Sequence, residues 1–122
     1  MLCISLDDEH DIGVFTPHGQ LSAADFVAAV RIIDPYIERR GPLKGLMIAT
    51  RHFPGWDSFA ALSAHLRFAR DHHKQIGRIA LVTDSPMAML GEHLAAHFIS
   101  AEIKAFKYDQ IEQARAWLRE TH

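Results

Sequence analysis

Two short, uninterrupted apolar runs constrain the fold of this chain more than any other feature. They are LMIA at residues 46–49 and IALV at residues 79–82, and a segment long enough for a helix separates them. Strands that are apolar on both faces are typical of parallel sheets, in which helices cover both sides. Parallel neighbours also need a long crossover, which the intervening segment can supply. The two runs therefore predict central strands of an α/β domain.

The flanking segments extend this pattern into a complete element order. MLCISL (1–6) alternates in polarity, and DIGVFTPHG (11–19) is a second β-like run across the DDEH turn, so the two predict a hairpin. EIKAFKY (102–108) alternates as a more exposed strand does. The predicted order is β-β-α-β-α-β-α-β-α, which favours a single mixed, mostly parallel sheet with helix crossovers. The length of 122 residues, with 48% hydrophobic side chains and no linker-like tract, predicts one domain over 1–122.

The first predicted helix has clear start and stop signals. Ser22 is its N-cap, Asp25 occupies the capping-box position, and Gly41 closes it. Pro35 lies inside the helical pattern, where it removes a backbone donor and clashes one turn back. We therefore expect a kink, or a restart of the helix with Asp34 as a new N-cap.

The remaining helices follow the later strands. Asp57 is the predicted cap of the second helix, and Ser85-Pro86 resembles an N-cap followed by proline at the start of a third. Asp109 with Glu112 predicts the start of the last helix. The inward residues predicted for the second helix are Phe59, Leu62, Leu66, Ala69 and Ile76. Those predicted for the last helix are Ile111, Ala114, Trp117 and Leu118.

Polar loops follow both central strands. TRHFPGWDS (50–58) comes after the first strand and TDSP (83–86) after the second. In open α/β sheets, ligands and partners meet such loops because helix N-termini and free backbone N–H groups converge there. If the two strands are neighbours, the loops share one rim. Thr50 also lies on this rim, and the predicted binding residues of the rim are Arg51, His52, Phe53, Trp56, Asp57, Ser58, Thr83, Asp84 and Ser85.

The aromatic residues of the first loop have two interpretations. Pro54-Gly55 makes a turn, and Phe53 and Trp56 flank it. They either plug the junction between strand and helix or form an apolar contact patch on the surface. Aromatic residues near a strand end are most often packing residues, which favours the plug.

Segments along nearly the whole chain resemble a known family. They are the hairpin followed by HGQLSAADF, then FPGWDSFAAL after the third strand, RIALVTD, and the closing QARAWLRE. The chain resembles the SpoIIAA-like family, which is related to the STAS domain of anti-sigma-factor antagonists and sulfate-transporter tails, and more distantly to CRAL-TRIO lipid carriers. The resemblance rests on packing and turn patterns and includes no catalytic signature.

The resemblance makes Ser58 a candidate phosphoacceptor. In STAS antagonists the loop after the third strand carries an Asp-Ser-Ser-Gly-type pattern, and a partner kinase phosphorylates a serine there. Asp57 and Ser58 match the first two positions, but Phe59 and Ala60 replace the second serine and the glycine. The alternative interpretation of Asp57-Ser58 is a simple helix cap.

Composition and motifs exclude several classes of function. The net charge is −2 with no basic block, so no nucleic-acid partner is predicted. The apolar run in MLCISLDDEH is too short for a signal segment or a membrane span, which predicts a cytoplasmic protein without stable membrane insertion. The motifs GxSxG, GxGxxG and the P-loop are absent. No cofactor is predicted.

The histidines provide only weak signals for a site. His93 and His97 have a spacing that zinc sites use, with Glu92 beside them, but no third ligand is identifiable, so no metal site is predicted. His65 and His72 are interpreted as part of an ordinary exposed helix face. His73 falls on the apolar stripe and is interpreted as a hydrogen-bonded histidine at the edge of the core.

Three functions follow from these observations. The leading prediction is a non-catalytic, STAS-like regulatory or protein-interaction module that binds a protein partner through the rim. The second is a small-molecule or lipid-like carrier with an apolar pocket under the 50–58 loop, and the third is an enzyme that uses His52, Asp84 or Ser58. A homodimer that pairs through a sheet edge or an exposed apolar loop is a further option.

Overall fold

The computed structural model describes residues 1–85 and 100–120. A five-stranded sheet in the order β1-β2-β3-β4-β5 forms its centre. β1 and β2 are an antiparallel hairpin, and β2, β3, β4 and β5 are parallel to one another. The strands are β1 (Leu2–Asp7), β2 (Ile12–Pro17), β3 (Leu43–Ala49), β4 (Ile76–Val82) and β5 (Glu102–Phe106). The predicted mixed, mostly parallel α/β sheet is confirmed.

Three α-helices are described, and they pack on opposite faces of the sheet. They are α1 (Ala23–Arg40), α2 (Phe59–His72) and α3 (Ile111–Arg119). α1 and α2 cover one face, in a core that includes Phe26, Ile33 and Phe68. α3 covers the other face, where Trp117 and Leu118 are buried. The third helix predicted after Ser85 lies outside the described residues.

Burial on both faces explains the two apolar runs. In β3, Leu46 and Ile48 pack into the core of α1 and α2, whereas Met47 and Ala49 pack into the core of α3. Residues along a strand point alternately to the two faces, so a sheet covered on both sides needs apolar residues throughout. The sequence pattern of the central strands is therefore a direct consequence of the two helical layers.

α1 begins and ends as predicted, but it does not restart at Pro35. Ser22 and Asp25 form a reciprocal capping box, and Gly41 ends the helix with a φ of 89°, which favours glycine. The helix continues through Pro35, so the predicted restart with Asp34 as N-cap is wrong. Asp34 instead makes a tertiary contact, since its Oδ1 lies 2.7 Å from Nε2 of His72 on α2.

The buried face predicted for α2 is wrong. The helix buries Ala61, Phe68 and His72. Phe59 and Leu66, which were predicted to face inward, are 82% and 63% exposed. Ile76 is buried, but it belongs to β4 rather than to the helix.

Two predicted caps also differ from the structure. Ser58, and not Asp57, is the N-cap of α2, because its Oγ accepts a hydrogen bond from the backbone N–H of Ala61 at 3.1 Å. Before α3, the side chain of Gln110 accepts a hydrogen bond from the backbone N–H of Lys107, so the predicted cap at Asp109 is wrong. The inward face predicted for α3 is confirmed, with Ala114, Trp117 and Leu118 buried.

Candidate functional site

The loops after β3 and β4 lie side by side at one edge of the sheet. The backbone N–H of Asp84 donates to the carbonyl of Arg51 at 3.0 Å, and the hydroxyl of Thr83 donates to the same carbonyl at 3.2 Å. The backbone N–H of Thr50 donates to the carbonyl of Val82 at 3.0 Å. Because β3 and β4 are adjacent and parallel, both loops leave the sheet at their carboxyl ends. We call this edge, residues 50–58 and 83–85, the rim.

A charged corner occupies the exposed side of the rim. Nη1 of Arg51 lies 3.9 Å from Oδ2 of Asp84, and its guanidinium lies 4.9 Å from the ring centre of Tyr108. The backbone N–H of Tyr108 donates to Oδ1 of Asp84 at 3.0 Å. Tyr108 was not among the predicted site residues, although it follows β5 and therefore belongs to a third loop at the same edge. Exposed ion pairs contribute little to stability. The main effect of this corner is therefore to place two charged side chains at the protein surface.

Ser85 holds the 50–58 loop through a hydrogen bond to its backbone. Its hydroxyl accepts a hydrogen bond from the backbone N–H of Phe53 at 2.8 Å. Its own backbone N–H donates to the hydroxyl of Thr83 at 3.1 Å. Ser85 and Thr83 are therefore part of the scaffold that holds the two loops together.

Phe53 and Trp56 pack inward and make the aromatic plug. Both pack against the core of α1 and α2, and their ring centres are 5.1 Å apart in an edge-on arrangement. The loop is also pinned to Leu21, which donates its N–H to the carbonyl of Gly55 and accepts from the N–H of Asp57, both at 2.9 Å. Gly55 has a φ of 80°, so the turn requires glycine there. These contacts favour the plug over the surface patch.

A hydrogen bond between Trp56 and His65 joins the plug to α2. Nε1 of Trp56 donates to Nδ1 of His65 at 3.1 Å, and the imidazole stacks on Phe26 with ring centres 4.9 Å apart. An indole N–H is only a donor, so Nδ1 of His65 must be unprotonated. Burial lowers the pKa of the His65 imidazole from its ordinary value of 6.5, which favours the same neutral state.

Acid is therefore expected to loosen the plug. Because the folded-state pKa of His65 is below 6.5, its contribution to stability is complete above pH 6.5 and is lost as the pH falls through the folded pKa. We expect the fluorescence of Trp56 to shift to the red in this range, measured in a Trp117→Phe variant that has no other tryptophan. A His65→Gln variant, in which an amide oxygen can accept from the indole, is the control. A pH response that persists in the control would contradict this assignment.

Three further rim residues, all of which precede α2, are exposed. The side chain of His52 is exposed, as are those of Asp57 and Ser58. Within residues 1–85 and 100–120, no hydrogen bond joins His52 to Asp84 or Ser58. The three residues considered for catalysis are thus not connected as a proton relay in this part of the chain.

The histidines of α2 differ from the exposed face predicted for them. His72 is buried, with Nδ1 2.8 Å from the carbonyl of Phe68 and the ring stacked on Phe68. His65 is largely buried under the plug. The interpretation of His73 agrees with the structure, since its Nδ1 lies 3.0 Å from the hydroxyl of Ser100. His93 and His97 lie outside the described residues.

One group of metal-ligand side chains is present in the described chain, at the β1–β2 turn. One ligand atom from each of Asp7, Glu9 and His10 lies within 4.8 Å of the others. The internal bonds of the turn account for the cluster, because Asp7 accepts hydrogen bonds from the N–H groups of Glu9 and His10. The bond with the His10 ring lowers the pKa of Asp7.

A mainly apolar cavity lies between α2 and the sheet. Its volume is about 190 Å³. His65, His72 and His73 contribute to it, and the rest of its described lining is aromatic and aliphatic: Phe15, Phe26, Leu46, Ile48, Phe68, Ala69, Ile76, Ile79, Leu81 and Ile103. No residue of the 50–58 loop is among these, so the cavity is displaced from the pocket predicted under that loop.

Comparison with known proteins decides the family. A family model described as SpoIIAA-like matches residues 12–119 of this chain. The chain belongs to the SpoIIAA-like family. The predicted resemblance is therefore confirmed, and the fold is that of a STAS-type domain. No curated protein was found to match.

A solved structure with the same fold supports the assignment. It is a crystal structure of an uncharacterized protein of the DUF3478 family, with a SpoIIAA-like fold, from Shewanella loihica PV-4. The TM-score is 0.77 at 19% sequence identity, and the match covers 97% of this SpoIIAA-like chain and 92% of the other.

Among residues 1–85 and 100–120, no helix is both long and apolar enough to cross a membrane.

Proposed function

We propose that this SpoIIAA-like domain is a non-catalytic regulatory module that binds a protein partner through the rim. The observation that supports this most strongly is the exposed pair Arg51 and Asp84, displayed on two loops that hydrogen bonds hold in one arrangement. Preorganised charge lowers the cost of ordering a surface on binding and aids discrimination between partners. The packed plug beneath supplies the rigid base that such a surface needs.

Site-specific cross-linking tests this proposal. A photo-crosslinking amino acid at His52 is expected to capture the partner in cells, and the same group at Ala24, an exposed position on α1, is the matched control. The captured protein is then purified and its affinity measured. Arg51→Ala and Asp84→Ala are each expected to weaken binding by roughly tenfold, whereas the exposed Arg31→Ala on α1 is expected to change it by less than about twofold. Equal loss at all three positions would reject the rim as the binding surface.

Ser58 is the proposed site at which this binding is regulated. Its side chain is exposed and it caps α2, so a phosphate there would lie beside the free N–H groups of the first helical turn. The intact mass of protein isolated from its native host is expected to include a form heavier by one phosphoryl group. Ser58→Ala is expected to remove that form, and Ser63→Ala, in the middle of α2, is expected to retain it. A modified form that persists in the Ser58→Ala protein would place the phosphate elsewhere.

Binding of a small apolar molecule is a second candidate function, favoured by the cavity. An apolar cavity of about 150 Å³ can hold a benzene-sized molecule, so 190 Å³ suits a single ring or a short acyl chain and not a whole phospholipid. We expect short-chain fatty acids or monocyclic aromatics to raise the melting temperature. Ala69→Leu, which fills the cavity, is expected to abolish this shift, and Ala24→Leu is the control. If none of these compounds raises the melting temperature of the unmodified protein, this candidate function is rejected.

A further inference from the structure

The outward face of α2 is unusually apolar for an exposed helix. Phe59 is 82% exposed and Leu66 is 63% exposed. They are seven residues apart, which is close to two helical turns, so they lie on one face about 10 Å from each other. Leu62, half buried, lies between them on the same side of the helix. We call Phe59, Leu62 and Leu66 the α2 stripe.

The ends of the α2 stripe carry opposite charges. Asp57 is exposed two residues before Phe59, and Arg67 is exposed one residue after Leu66, which places it about a quarter turn around the helix from that side chain. Within residues 1–85 and 100–120, neither side chain forms an ion pair. The stripe therefore has an acidic end and a basic end that have no charged partner in the described part of the chain.

This pattern is complementary to itself when the helix is turned end to end. An antiparallel copy centred on Leu62 brings Phe59 of one molecule within one residue's rise of Leu66 of the other, and it brings Asp57 level with Arg67 along the helix axes. Both pairings occur twice, as a two-fold axis requires, and the antiparallel helix dipoles are also favourable. We propose that α2 pairs with α2 of a second copy of this chain through the α2 stripe.

The dimer is expected to be weak. α2 has 14 residues and is thus about 21 Å long, so one helix against one helix buries less than the roughly 800 Å² per partner of a standard interface. Apart from Asp57, its residues lie outside the rim, and Arg51 and Asp84 take no part in it, so this inference goes beyond the proposed function and is tested separately from it.

Sedimentation velocity over a wide concentration range tests the dimer. The average mass is expected to rise from that of the 13.8 kDa monomer toward twice that value as concentration increases. Phe59→Ser and Leu66→Ser are each expected to hold the protein as a monomer, with circular dichroism confirming that the variants are folded. Val27→Ser, at an exposed apolar position on α1, is the matched control and is expected to leave the dimer intact.

Charge reversal tests the antiparallel arrangement itself. Asp57→Lys and Arg67→Glu are each expected to weaken association by roughly tenfold, because each change acts at two symmetric positions. The double variant is expected to recover most of the original affinity. A protein that is monomeric at every concentration overturns the proposal. So does a dimer that Phe59→Ser leaves intact, that Val27→Ser dissociates equally, or that the double variant fails to restore.

Discussion

Replacing Gly45 with alanine is expected to lower the free energy of unfolding by about 2 kcal/mol, which is an overpacking effect. A Cβ atom at this position would lie 2.8 Å from Cδ2 and 3.2 Å from Cβ of Leu118. Leu118, on the inward face of α3, is fully buried, so it has little room to move aside. A glycine-to-alanine change without a clash usually stabilises by about 0.4–1 kcal/mol, so the clash must also overcome that gain. Urea unfolding monitored by circular dichroism measures the difference.

Gly13 provides the matched control for this prediction. A Cβ there would lie 3.4 Å from Leu46 Cδ1 and 3.7 Å from Leu6 Cδ2, which are ordinary contacts. Gly13→Ala is therefore expected to change stability by less than about 1 kcal/mol. In a Leu118→Ala background, Gly45→Ala is expected to cost less, since Cδ2 and Cγ of the obstructing side chain are gone and only its Cβ remains. An equal cost in both backgrounds would show that Leu118 is not the obstacle.

The sheet could be predicted because the apolar pattern of each central strand is contained in a short stretch of sequence. A strand covered on both faces must be apolar throughout, and LMIA and IALV show this directly. Parallel adjacency then brings the two following loops to one edge, which is why Arg51 and Asp84 could be placed together from sequence alone. Tyr108 was missed because the same rule was applied to two strands and not to β5.

The buried face of α2 could not be predicted because two of its three buried residues, Ala61 and His72, are not strongly hydrophobic. Ala61 is buried because a small side chain lets the helix lie close to the core. His72 is buried because the carbonyl of Phe68, one turn earlier in α2, and Asp34 on α1 satisfy its ring nitrogens, and the contact with Asp34 is tertiary. Phe59 and Leu66 are more hydrophobic than Ala61 and His72, so the helical periodicity predicted the wrong side of α2 as the buried one.

The caps and the plug show two further limits. Asp57 and Ser58 are both good cap formers, and the choice between them depends on a loop conformation that Leu21 fixes from elsewhere in the chain. The bond from Trp56 to His65 likewise joins the loop to the body of the helix. The local sequence identifies these residues as candidates for a cap or a packing contact. It does not determine which atoms form the hydrogen bonds, because those depend on residues elsewhere in the chain.

Replacing Arg78 with methionine is expected to lower the free energy of unfolding by about 3 kcal/mol. The side chain of Arg78, in β4, is only 9% exposed. Its Nη1 donates to the carbonyl of Trp117 at 2.6 Å, and its guanidinium lies 4.7 Å from the Trp117 ring centre. The same group contacts the carboxylates of Glu102 and Glu120 at 3.2 Å and 3.0 Å. Arg78 thus fastens the end of α3 to the sheet, and chemical denaturation measures the loss.

Substituting the partners of Arg78 shows which of its contacts causes the loss of stability. The side chains of Glu102 and Glu120 are each 60% exposed, so removing Arg78 leaves no carboxylate buried and alone. The cost should arise instead from the lost bond to the Trp117 carbonyl, which then keeps, among the described residues, only the 3.4 Å bond from the N–H of Glu120, and from the lost packing on the Trp117 ring. Glu102→Gln and Glu120→Gln are accordingly expected to cost less than about 1 kcal/mol each. The difference between the unmodified protein and Arg78→Met should persist in about 1 M salt, which screens exposed ion pairs. A difference that vanishes in salt would instead assign the stabilisation to the two glutamates.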